Sequence, residues 1–279
     1  MCTTYPRRTT YTGKCTLSTA DTLYTDRPAE GSHAMPSQER QAQAHDKDHV
    51  SVWERLERPA PAPRTTLTPR RIAKAAVAVA DAEGLDAVTM RRLATELGVA
   101  PMAAYRYVTG KDELIELMVD FVYAEMDLPG ETDNWRTTMH TLALRIREVL
   151  LRHSWVTRAT WCAPTPNQLA VPEAALAALD GLGLDADTAM VVYSTVTSYV
   201  HGAVNAEVGV TQLLRVRGWS SREEARSGLA SQMAWLLSTG RFPMYERYIG
   251  EAGRKDDLQW QFETGLECVL DGISEHLKI

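Results

Sequence analysis

The chain has 279 residues, 44% of them hydrophobic and 24% charged, with a formal net charge of −6. That length can bury a large core in one or two domains, and the four cysteines (Cys2, Cys15, Cys162, Cys268) form no CxxC pair and have no His neighbour at metal spacing, which points away from a disulfide scaffold and towards a reducing cytosol. Charge is uneven: residues 60–111 carry eight basic side chains against four acidic ones, while residues 112–279 carry 14 against 24. A basic island in an acidic protein fits local binding to phosphate; a solvated helical face is the alternative.

Residues 1–65 read as a disordered or extended segment, polar and without a sustained apolar period. No signal-peptide core is visible, and the Thr-rich, basic first 20 residues resemble an organelle transit segment in composition only. Met35 is a candidate later start. Val50, Val52, Trp53 and Leu56 suit one short helical turn, and Pro59–Pro63 an extended linker. Arg64 is read as a solvated linker arginine, with a flexible minor-groove arm as the alternative. A helix is predicted from Pro69, capped by Thr68, to Glu83, with Gly84 as its stop and Ile72, Ala75, Ala76, Val79 and Ala80 as its buried stripe.

Val88 to Leu114 then holds two short helical patterns joined by a tight turn. Thr89 caps the first, Leu93, Ala94 and Leu97 form its apolar side, and Gly98 stops it. The second opens on Ala100 with Pro101 at its first position. Ala104 and Val108 point inward, and Met102 and Arg106, four apart, share the outward face. This is a helix-turn-helix, whose second helix can enter a major groove.

Gly98-Val99-Ala100 through Tyr105-Arg106-Tyr107, followed by Lys111-Asp112-Glu113-Leu114, resembles the DNA-binding domain of tetracycline-repressor (TetR) family regulators. The likeness spans about Leu67 to Phe121 without a gap. It departs at Ala100 and Ala103, where the family carries hydroxyls, and at Ala104 and Val108, where it carries Leu and Phe. The resemblance implies that Pro101, Met102 and Arg106 face bases. It places Thr89, Tyr105, Tyr107 and Lys111 towards phosphates, with the N–H groups at the helix start by Ala100 beside them. Arg92, or Arg91, adds charge.

Downstream, a connecting helix is predicted from Lys111 to about Asp127, broken by Pro129-Gly130, and another from Asn134 to Arg152. A short piece near Trp155–Trp161 follows, then helices over about 166–182, 185–208 and 220–239, a turn near 244–249, and a last helix over about 257–277. No segment alternates like a strand, so the chain reads as all-α, with a three-helix DNA-binding domain over 66–112 and a larger helical ligand-binding and dimerisation domain over 113–279. Thr188 to Ala206 lacks formal charge and is apolar on every side. Its seven polar side chains argue against a membrane span and for burial on two faces. The resemblance implies that this helix borders a ligand cavity and a second subunit.

Gly181, Gly183 and Ala186 match a dinucleotide G-x-G-x-x-A pattern but follow a helix where a strand is required, so a turn capped by Asp185 explains them. No nucleophile motif, metal-protease motif or P-loop appears. His140, His153 and His201 have no carboxylate or second His at i+3 or i+4, so no metal site is assigned, and no catalytic residue or cofactor. The candidate ligand-binding set is His140, Trp155, Trp161, Met190, Tyr193 and Thr197, large or polar-tipped side chains of the sort that line pockets and cores alike. The expected function is a cytoplasmic, ligand-responsive transcriptional regulator, a repressor acting as a homodimer on a near-palindromic DNA operator, with no membrane partner. The rivals are a helical enzyme or carrier with a vestigial head, and a constitutive DNA-binding protein without ligand.

Overall fold

The computed structural model describes residues 51–57, 67–130, 134–159 and 163–279. The expected linker at Pro59–Pro63, Arg64 and the candidate ligand residue Trp161 lie outside them. Eleven α-helices are found, and no strand, among the described residues. They are α1 Val52–Glu57, α2 Pro69–Glu83, α3 Met90–Leu97, α4 Pro101–Tyr105, α5 Lys111–Tyr123, α6 Trp135–Arg152, α7 Pro166–Leu179, α8 Ala186–Arg217, α9 Arg222–Ser238, α10 Pro243–Glu251 and α11 Leu258–Leu277.

The head is built by local signals. Thr68 Oγ1 accepts from the Arg71 amide at 3.2 Å, Pro69 starts α2, and Gly84 at φ 88° ends it by donating to the Ala80 carbonyl. Thr89 Oγ1 accepts from the Arg92 amide at 3.1 Å, and Gly98 closes α3 in the left-handed region at φ 65°. Ile72, Ala76, Leu93, Ala104 and Val108 are buried, and Leu114 and Met118 of α5 close over the same region. Most of this core is continuous with that of the following helices, from Ile72 through Met118 to Leu150, so a head too small to be stable alone leans on the body.

Within the expected disordered or extended 1–65, the short helical turn read around Val52, Trp53 and Leu56 is found as α1. Val52 is 1% exposed and joins Ala73, Val108 and Leu117 in a small core of its own. Arg55 donates to both Glu113 carboxylate oxygens, at 2.9 and 2.7 Å. The Thr109 amide donates to Glu113 as well. Burial works to raise the Glu113 carboxyl, but the Arg55 and Thr109 hydrogen bonds outweigh it and hold the group below its ordinary value.

The body packs α6, α7, α8 and α11 around one another. Four boundaries differ from expectation. Helix α5 stops at Tyr123, short of Asp127, because the chain turns there to bury Met126. Helix α7 ends at Leu179, where Asp180 turns extended. Helix α8 runs on to Arg217 and stops only at Gly218, left-handed at φ 68°. The predicted turn near 244–249 is the full helix α10, started by Pro243. Within one chain α8 is covered on one face: Val192, Val196, Val200 and Val204 form one buried stripe, while Met190 and Val191 remain 42% and 61% exposed. Neither α9 nor α10 has a buried residue, so together they form an arm that leaves the bundle at Gly218 and returns before α11.

Candidate functional site

Helix α4 begins with Ala100 in an extended conformation and no side-chain cap, as the missing hydroxyl predicts. Its outward edge is solvent-facing: Pro101, Met102 (72% exposed), Tyr105 (44%) and Arg106 are all exposed. Ala104 and Val108 lie at 0% beneath them, fixing which way the edge points. Three of the four expected phosphate-facing residues, Thr89, Tyr105 and Lys111, line one crevice of about 350 Å³ together with Arg91. The fourth, Tyr107, is half-buried and packs against the core.

Arg92, at the start of α3, is paired within the head. It donates to Glu83 at 2.9 Å and to Glu96 at 3.0 Å, so its charge is already balanced by two carboxylates. The Glu83 pair ties α3 to the end of α2, and the Glu96 pair lies within α3. Arg91, its neighbour, lines the crevice.

The described members of the expected ligand set lie on α6 (His140), just after it (Trp155) and on α8 (Met190, Tyr193 and Thr197). Trp155 is buried at 4% and its Nε1 donates to Asp81 at 2.8 Å, a contact between body and head. The Thr197 hydroxyl donates to the Tyr193 carbonyl of its own helix at 3.0 Å. Tyr193 is half-buried, and burial pushes its phenol up. Met190 is exposed, and His140 lies 3.6 Å from Glu267 on α11. Among the described residues no group of three or more His, Cys, Asp or Glu side chains could hold a metal ion, and no helix is long and apolar enough to cross a membrane.

The sequence reading missed the junction at His153. This side chain is 5% exposed, with Nδ1 2.9 Å from Asp81 of α2 and Nε2 3.3 Å from Glu125, just past α5. Each ring nitrogen thus faces a carboxylate from a different part of the fold. Arg152 also donates to Glu125, at 3.0 Å, and Arg158 to Asp86 at 3.0 Å. Head, connecting helix and body therefore meet through one small polar cluster, whose partners are too remote in sequence for any local motif.

The N-terminal region matches the model of bacterial regulatory proteins of the tetR family over residues 72–118, and residues 128–277 match the tetracyclin repressor-like C-terminal domain. The HTH-type transcriptional repressor DrrR1 of Streptomyces coeruleorubidus is 30% identical over 235 residues, covering 80% of this chain and 83% of that protein. The class A tetracycline repressor from transposon 1721 of Escherichia coli is 29% identical, covering 76% of this chain and 92% of its own. Among solved structures, the Streptomyces coelicolor TetR family protein ActR in complex with actinorhodin superposes with a TM-score of 0.60 at 27% identity, over 75% of this chain and 96% of that one. An exposed reading edge on a capped helix-turn-helix, two matching family domains and full-length relatives agree, and the chain belongs to the tetR family of bacterial regulatory proteins, as a DNA-binding transcriptional regulator.

Proposed function

We propose that this chain is a cytosolic, ligand-responsive repressor that binds a near-palindromic operator as a two-fold homodimer and is released by a small-molecule effector. The observation that carries the reading is the solvent-facing edge of α4, with Met102 and Arg106 over a buried Ala104 and with Thr89, Tyr105 and Lys111 grouped beside it. Arg106 suits a bidentate contact to guanine, while the crevice residues suit phosphates that set register. Two such edges would enter successive major grooves about 34–36 Å apart.

Pairing of subunits is supported by the uncovered face of α8 and α11. There Val191, Thr195, Val269 and Ile273 line an open crevice of about 610 Å³. Repression and effector release are supported by the relatives: DrrR1 is a repressor, and ActR binds actinorhodin. The effector would act only through its differential affinity for two dimer states, with α5 carrying the shift to the head. The protein would act by binding, with no chemical step.

Selection of bound DNA from a random library, with purified protein at fixed salt, tests the reading, and a palindromic consensus is expected. On that site Arg106→Ala should lose about 1–3 kcal/mol of discrimination at one base pair. Lys111→Ala should weaken all sequences alike and lower the salt slope by about one. Enrichment of no sequence, or equal loss on specific and random DNA for Arg106→Ala, would remove α4 from the reading role.

A further inference from the structure

The arm formed by α9 and α10 has two roots, one at Arg222, the first residue of α9, and one at Lys255, just before α11. Between these roots and the bundle lies a crevice of about 420 Å³. Its floor is apolar and aromatic, from Tyr199, Ala203 and Val210 of α8 and Phe262 of α11. The Tyr199 and Phe262 rings stand 5.5 Å apart, tilted by 34°, and the Tyr199 hydroxyl donates to the Phe262 carbonyl at 2.8 Å, which locks that pair.

Charge around the crevice is unbalanced. Arg147, Arg222 and Lys255 line it against a single carboxylate, Glu207. Arg147 is committed: it donates to Glu207 at 3.0 Å and to Gln259 at 2.8 Å, with its guanidinium 4.8 Å from the Phe262 ring centroid. Arg222 has no carboxylate partner among the described residues, and Lys255 donates to the Ile249 carbonyl at 3.0 Å, which leaves two of its three N–H groups. Of the acids near the roots three are engaged elsewhere, while Glu223, next to Arg222, is exposed to solvent. Asp256 pairs with Arg226, Asp257 caps α11, and Glu224 accepts from Ser220. Two available cations over an aromatic floor form an island of positive potential in a region that carries 24 acidic against 14 basic side chains.

We propose that this crevice binds a small organic anion with a planar, apolar body, its carboxylate held between Arg222 and Lys255 and its ring laid against Tyr199, Ala203 and Val210. The volume lies within the usual range for small-molecule sites. Because the two cations belong to opposite roots of the arm, a bound anion ties both roots to α8 and α11 and holds the arm in one position. The proposal rests on the effector-responsive reading above and gives that effector a charge and a place.

The test is calorimetric titration of the full chain with 2-naphthoate, and with 2-naphthamide as its neutral counterpart. The acid is expected to bind about tenfold tighter than the amide, as two partly exposed charge contacts allow. The Arg222→Gln/Lys255→Gln double variant should lose that tenfold preference while keeping wild-type operator affinity, and Lys255→Gln alone should lose part of it. Arg241→Gln, beyond the end of α9, should change nothing. Equal binding of acid and amide, no binding of the acid, or an unchanged preference in the double variant would each overturn the proposal. Operator binding with release by some other compound would leave the regulator reading standing without this site. Acid-selective binding without any operator would do the reverse.

Discussion

Replacement of Asp81 by Ala tests how firmly the head is joined to the body. The Asp81 carboxylate faces His153 Nδ1 at 2.9 and 3.0 Å and accepts from Trp155 Nε1 at 2.8 Å. Both partners are only 4% exposed, so the truncation leaves two buried donors short of an acceptor. A hydrogen bond to a charged group is worth about 1.5–3 kcal/mol, and a stranded buried donor costs about 1–3 kcal/mol. The two terms share one acceptor and do not add fully. Asp81 is itself 33% exposed, which lets water in from that side and favours the lower end of each range. The expected loss is therefore about 3 kcal/mol, read as a fall in the urea midpoint of the full chain with an unchanged denaturant slope. In a cycle with Trp155→Phe, which removes the donor and keeps much of the ring, the pair should show a coupling above about 1 kcal/mol. A loss below about 1 kcal/mol, or additive single effects, would mean that water replaces the carboxylate and that the cluster does not hold the junction.

Gly98→Ala should cost about 1 kcal/mol by thermal melting: the residue sits at φ 65° and a Cβ there meets nothing within 4 Å, so backbone strain alone is expected. Gly265→Ala should cost about 1–3 kcal/mol, because the new Cβ would overlap the Tyr199 hydroxyl and lie 2.8 Å from ring atom Cζ. Unchanged stability there would mean that Tyr199 moves freely. Burial, followed by repulsion from Glu113 and Asp112, holds the Glu116 carboxyl above its ordinary value. Such a raised acid binds its proton more tightly folded than unfolded, so its contribution is favourable in acid and is lost as pH rises through the folded value. Glu116→Gln should therefore be more stable than wild type at neutral pH, by less than about 1 kcal/mol, with the gain fading towards about pH 4. Glu113, held low, runs the other way: its stabilisation is present at neutral pH and lost as pH falls through its folded value, which Glu113→Gln should abolish.

What could be read in the sequence is what the chain decides within one turn. Thr68, Thr89, Asn134, Asp185 and Ser221 each cap the helix that follows, because the accepting oxygen and the amide it satisfies are three residues apart. The inward placement of Ala104 and Val108 follows from helical spacing in the same way. Arg92 shows where this kind of reading ends. Its charge is visible in the sequence, but Glu83 lies across the Gly84 turn, and only the packing of α3 against α2 brings it within 2.9 Å. His153 is the stronger case, since both of its carboxylates belong to other helices or their ends and no local spacing could have named them. The ligand candidates are ambiguous for a related reason: a large side chain with a polar tip suits a cavity and a domain junction equally, and Trp155 lies at the junction.

The long helix α8 carries the remaining argument. Its uncharged stretch is apolar all round, which in a soluble protein predicts cover on two faces. The chain supplies one, against Val192, Val196, Val200 and Val204, and leaves Met190 and Val191 exposed, Val191 beside Ile273 and Leu277 of α11. The arm adds Trp235, Met244 and Tyr245, at 66%, 70% and 50% exposure, on helices that bury none of their own residues. Scattered exposed apolar residues are ordinary, but a continuous strip on two adjacent helices and an arm with no core are not. Both become intelligible if the folded unit is a pair of chains, with the α8–α11 strip at the two-fold contact. A single charge placed in that strip, Val191→Asp, should then convert the pair to single chains in ultracentrifugation and abolish operator binding without disturbing the head. A monodisperse single chain already in the wild type would refute it.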